Sequence, residues 1–181
     1  FVSDLTTKEL TEKLVEEIVD DNQIPEDYQI KDCEGLTICP GLIDLQLYGD
    51  HEDLFSAELN AESLARISQQ LAKKGTTSFM MTLATNTILL FKEAIEIAKS
   101  FHHPGFLGLH LELIISATAD IIDDLLKNAN SVVKMMTIAP ELIEDEALAK
   151  LQSYNLILSA GHSAATFEQG TLGFDKGIQT S

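Results

Sequence analysis

Phe106-Leu-Gly-Leu-His-Leu-Glu112 is an apolar run that ends on a carboxylate. Apolar residues stand at both even and odd positions, so a strand here is covered on both faces, as in a parallel sheet. A helical pattern lies on each side. Upstream, Asn86 opens a helix with Leu90, Ala94, Ile97 and Ala98 on one face, and Pro104-Gly105 breaks the chain after it. Downstream, a helix is expected near Ala119–Ala129, then a strand over Val132–Ile138 closed by Ala139-Pro140.

The alternation continues in both directions. Toward the N-terminus, Leu42–Leu47 reads as strand one. Asn60 caps a helix running to Lys74, with Leu64, Ile67 and Leu71 at helical spacing and Gly75 as its stop. Thr77–Leu83 is strand two. Toward the C-terminus, a helix over Glu141–Ser153 precedes a strand at Leu156–Ser159. Another helix fits Ala165–Lys176, and Gly177–Thr180 reads as the start of strand six. Such alternation predicts a parallel sheet with crossover helices. With no Gly-rich dinucleotide fingerprint, the expected class is α/β, part of a (β/α)8 TIM-type barrel. Residues 39–181 are expected to supply its first five to six βα units. Residues 1–38 are denser in charge and breaks and are expected to be a fragment of a small β domain, although Lys8–Val19 fits one amphipathic helix equally well.

Charge excludes some partners. Twenty-nine acidic against twelve basic residues give a net charge of −17 over 181 residues. That field repels phosphate backbones and anionic membrane surfaces, so no nucleic acid and no membrane partner is expected. No apolar run reaches the ~20 residues of a membrane span, and no signal-peptide pattern opens the chain. Cys33 and Cys39 form no CxxC pair and read as free thiols of a reducing, cytoplasmic compartment.

Two residues carry the expected chemistry. Glu112 follows strand three and His162 follows strand five, in Ser159-Ala-Gly-His162. A carboxylate after Leu109-His-Leu111 is costly to bury unless it is paired or holds a metal; the alternative is an ordinary solvated strand-end Glu. His162 reads either as a metal ligand turned over the barrel mouth or as a helix-capping histidine. Carboxyl ends of nearby barrel strands converge on one face, and a carboxylate with an imidazole suits zinc or iron. Gln46 and Tyr48 stand after strand one, where many barrel hydrolases carry His-x-His; Gln46 is expected to contact a water or ligand. Asp44 reads as structural. His110 reads as a core histidine beneath Glu112, Met80-Met81 and Met135-Met136 as core fillers, and His102-His103 as a solvated loop pair. His51-Glu-Asp53 reads as a charged loop. One junction is anomalous: Leu113-Ile-Ile-Ser116 follows Glu112 with no turn residue. Either strand three is unusually long, or Glu112 and Leu113 are not joined in the native protein. The second is the expectation.

Pro40–Gly49, Gly75-Thr-Thr-Ser-Phe79 with Thr82, Leu109-His-Leu-Glu112, Thr137-Ile-Ala-Pro-Glu141 and Ser159-Ala-Gly-His-Ser-Ala-Ala-Thr166 occur in one order. Together they resemble N-acetylglucosamine-6-phosphate deacetylases of the amidohydrolase superfamily, from about Gly35 to Ser181. The resemblance implies that residues 1–34 are part of a β-sandwich. It implies one divalent metal ion, zinc or iron, held by Glu112 and His162, and a sugar-phosphate substrate. Its further histidine, in a Thr-His-x-x-Asn run, and its general-base Asp have no counterpart in these 181 residues, so the catalytic residue stays unknown. It also implies a Gly-Pro loop after the glutamate, where this chain has Leu113. Gln46 fits the subgroup that keeps one metal, and Tyr48 replaces what is often Asn. A homodimer is the expected assembly. Two other readings stand beside this one. Another amidohydrolase, acting on a cyclic amide, would want His-x-His on strand one and a bridging Lys, for which Lys134 comes too early. A non-catalytic barrel fragment needs neither.

Overall fold

A computed structural model describes residues 20–24, 26–27, 35, 37, 39–129 and 131–181. Most of the expected small β domain at 1–38 lies outside the described residues, which there include a 3-10 turn at Asp21–Gln23.

Five parallel strands form one sheet in the order β1-β4-β5-β6-β7: β1 Leu42–Leu47, β4 Thr76–Leu83, β5 Phe106–Leu113, β6 Val133–Ile138 and β7 Ile157–Ala160. A single parallel bridge from Ser159 to Thr180 begins a sixth strand, as the sequence predicts. The sheet curls as half of a parallel α/β barrel.

Crossover helices cover the outer face: α1 Ala61–Lys73, α2 Ile88–Ser100, α3 Ala119–Leu126, α4 Asp145–Gln152 and α5 Phe167–Asp175. Each of the first four buries one stripe. Leu64, Ile67 and Leu71 do so on α1; Phe91, Ala94 and Ile95 on α2; Ile122, Leu125 and Leu126 on α3; Ala147, Leu148 and Leu151 on α4. Leu109, Leu111, Leu113, Met81, Leu83, Met136 and Ile138 meet them from the sheet. At about 25 cal/mol per Å² of apolar surface removed from water, this layer dominates the stabilisation. The side-chain period of two sends the alternate residues inward. The register makes two inward layers: Thr82, His110, Met135 and Ile157, then Glu112, Thr137 and Ser159.

Several boundaries differ from expectation. Asn60 caps α1, accepting from the Ser63 amide at 2.8 Å. The next helix is capped by Thr87, not Asn86, because the Thr87 hydroxyl accepts from Leu90 N. The helix expected over Glu141–Ser153 is two pieces, a 3-10 turn at Pro140–Leu142 and then α4, separated by extended backbone at Ile143 and Glu144. His51-Glu52 is the turn of a small antiparallel hairpin, β2 Gly49–Asp50 with β3 Asp53–Leu54, rather than a plain loop. His103 is half-buried rather than a freely solvated loop residue: its ring stacks on Phe101, with centroids 6.2 Å apart. Cys39 is a free, exposed thiol, and Cys33 lies outside the described residues.

β5 continues past Glu112 to Leu113, which pairs with Ile138 and lies in the core. The turn chemistry missing from the sequence comes from a distant residue. The Thr85 hydroxyl donates to the Glu112 carbonyl at 2.9 Å and accepts from the Ile114 amide at 3.2 Å. One side chain thus satisfies the backbone where the strand leaves the sheet.

Candidate active site at the strand carboxyl ends

Glu112 is 2% exposed, on the inward face near the end of β5. A carboxylate so buried needs partners. Gln46 Nε2 donates to its Oε1 at 2.9 Å, and the Tyr48 hydroxyl donates to the same oxygen at 2.6 Å. Gln46 Nε2 also donates to the Tyr48 oxygen at 2.9 Å, closing a triangle. Asp44 braces this stretch by accepting from the Gln46 amide at 3.0 Å. Burial, then the bond to Glu112, pushes the Tyr48 phenol above its usual range, so it remains a donor. No described residue donates to Oε2, which leaves that oxygen open to an electrophile.

His162 arrives from the other edge. Its Nε2 lies 3.4 Å from Glu112 Oε1, and its side chain is 59% exposed. Gly161 precedes it because a Cβ there would come within 2.7 Å of Thr137 Cγ2. His162 itself has a left-handed φ of 49°. That conformation costs a non-glycine residue about 1–2 kcal/mol, and such outliers cluster at working sites.

His110 lies one layer below. Its Nδ1–H donates to the Leu45 carbonyl at 3.0 Å, which leaves Nε2 to accept from the Thr137 hydroxyl at 2.7 Å. Burial holds its pKa below the usual histidine value, in keeping with a neutral ring. It is a core residue that props β1 and β6, as the sequence suggested. The neighbouring Thr82 hydroxyl is buried without a partner among the described residues.

The structure therefore brings Glu112, His162 and Gln46 together. Sequence reasoning missed Tyr48 as a donor, Thr85 as a backbone clamp and Glu141 as an acceptor. Tyr48 was findable, because it lies two residues from Gln46 and so on the same face.

A divalent ion can be tested against the donor set alone. A buried carboxylate with one oxygen free, and an imidazole 3.4 Å from its other oxygen, fit two positions of a shell for zinc or iron. Among the described residues no group of three or more His, Cys, Asp or Glu is placed to hold a metal.

A curled parallel βα sheet with polar side chains gathered at its carboxyl ends defines part of a TIM-type barrel protein. Its likeness is to one enzyme in particular. The N-acetylglucosamine-6-phosphate deacetylase of Haemophilus influenzae is 28% identical over 183 residues, covering 91% of this chain and 48% of that protein. The Caenorhabditis elegans protein of that name is 31% identical over 175 residues, covering 81% of this chain and 41% of that one. The crystal structure of the Pasteurella multocida deacetylase superposes with a TM-score of 0.83 at 25% identity, over 90% of this chain and 48% of that one. No protein-family model matches the chain. The chain spans about half the length of the curated relatives it matches. The 183 aligned positions take in only about 165 residues here (91% of 181), so the Haemophilus protein has about 18 positions with no counterpart in this chain.

Proposed function

We propose that the full protein hydrolyses the acetamide of N-acetylglucosamine-6-phosphate, giving glucosamine-6-phosphate and acetate, as a cytoplasmic homodimer. The observation that carries this reading is the meeting of Glu112 and His162 at 3.4 Å, in a chain whose relatives bear that enzyme's name. Glu112 and His162 would hold one zinc or iron ion. When bound, such an ion supplies Lewis-acid polarisation of a carbonyl and lowers the pKa of water. Gln46 and Tyr48 fix one oxygen of Glu112 and leave the other free. Burial of Glu112 excludes water from its rear, so its charge is expressed toward the mouth alone.

A second reading is a barrel that keeps the fold without turnover; among the described residues no group of three or more His, Cys, Asp or Glu is placed to hold a metal. One experiment separates the two. Metal content and acetate release are measured on the full protein and on Glu112→Gln. One ion per chain, with turnover that Glu112→Gln abolishes, is the expected result. A full protein with neither metal nor turnover would leave the non-catalytic barrel standing. Light scattering of the same sample reads the assembly.

A further inference from the structure

His162 reaches Glu112 with its backbone in a conformation that a side chain disfavours. The residues around it show what imposes this. On the near side, the Gly161 amide donates to the Ile138 carbonyl at 3.1 Å, which ties the chain to the end of β6. On the far side, the Glu141 carboxylate accepts from Ser163 Oγ at 2.5 Å and from the Ala164 amide at 2.6 Å. Those are the two residues directly after His162. The imidazole therefore stands on a short arch whose feet are both fixed to β6 and the turn that follows it.

We propose that Glu141 is a positioning residue that presets His162 beside Glu112. Hydrogen bonds to an ionised acceptor are the strong ones, and here two converge on a single side chain. The bland alternative is that Glu141 serves the start of α5. That helix does not need it. Thr166 accepts from the Gln169 amide at 3.3 Å, and the Gln169 side chain accepts from the Thr166 amide at 2.8 Å, a complete capping box. Glu141 acts instead on the residues between His162 and the helix. Pro140–Leu142 is a separate turn, and from it the Glu141 carboxylate reaches the arch. The proposal concerns the imidazole of the function proposed above, but its geometry does not depend on that reading.

The test uses the full protein and three variants, Glu141→Ala, Glu141→Gln and Ser163→Ala. Zinc affinity is read by calorimetry. The through-space NMR contact between the His162 ring and the Glu112 side chain is read without metal, together with exchange of the Ala164 amide. Glu141→Ala is expected to weaken zinc binding about 10–100-fold, as loss of an orienting partner does. It should also remove the His162–Glu112 contact and unprotect the Ala164 amide. Glu141→Gln keeps an acceptor and should recover part of the affinity. Ser163→Ala removes one of the two bonds and should fall between, and it carries the test if Glu141→Ala does not fold. Wild-type affinity with an intact His162–Glu112 contact in the folded variants would overturn the proposal. If the wild type binds neither zinc nor ferrous iron, the proposed function fails, and the metal-free NMR contact alone decides this inference.

Discussion

Along β5 every residue from Gly108 to Leu113 is buried, while on β1 Ile43 is 65% and Leu45 47% exposed. Both strands are apolar in sequence. The difference is position. β5 has a strand on each side and helices over its outer face, whereas β1 pairs with β4 alone in the main sheet. Hydropathy therefore sets which face a strand turns to its neighbours, and topology sets how many neighbours it has. The site uses both kinds of strand. Its buried charge, Glu112, stands on the central strand, and its partners come from the two edges: Gln46 on β1 and Tyr48 just after it, His162 after β7.

The largest test of that contrast is packing. Leu111→Ala on β5 should cost about 2–5 kcal/mol in urea unfolding, because the cavity is sealed on all sides. Leu45→Ala on β1 should cost about 0.5 kcal/mol or less, as at other surface positions. An equal cost at the two positions would show that β1 is covered in the full protein.

Next is the tight approach under His162. Gly161→Ala should destabilise by about 1–3 kcal/mol through overpacking against Thr137. Thr137→Ser removes the clashing methyl and keeps the hydroxyl for His110, so the double variant should recover most of the loss. Failure to recover would mean that the edge loop gives way by itself.

Tyr48→Phe tests whether the edge steadies the centre. Losing the 2.6 Å bond to Glu112 should weaken metal binding about 10–100-fold while leaving the unfolding midpoint nearly unchanged. A drop in stability without a change in affinity would make Tyr48 a packing residue only.

The smallest effect is one of pH. His103 stacks on Phe101, and its Nδ1 accepts from the Gly105 amide at 3.1 Å, an arrangement that needs the neutral ring. Burial lowers its pKa in the folded state. The unfolded chain then binds the proton more readily, so this contribution is present above the ordinary histidine pKa of about 6.5 and is lost as pH falls through that value toward the folded one. NMR titration of the folded protein should give a midpoint below that of a model histidine, and His103→Phe should flatten the acid side of the stability profile.

These particulars mark what the sequence could and could not tell. The strands and helices were legible because each buries a stripe with its own period, and Glu112 and His162 were legible because both close an apolar run. The long β5 was not, since its exit is stabilised by Thr85, a residue 27 positions away in sequence. The broken helix after β6 was hidden for a similar reason. Glu141-Leu-Ile-Glu has good helix formers, and a tertiary contact overrides that preference. The hairpin at Gly49–Leu54 is too short for alternation to register.

The strand order has a consequence for how the protein is made. From β5 to β7 each strand pairs with the one before it in the chain, and β1 waits only for β4. On a ribosome such a sheet can grow one βα unit at a time, with no strand held for a partner synthesised much later. Each added unit covers the open edge of the one before it and becomes the new edge in turn, so the sheet is at every step closed at its centre and unfinished only at its growing margin.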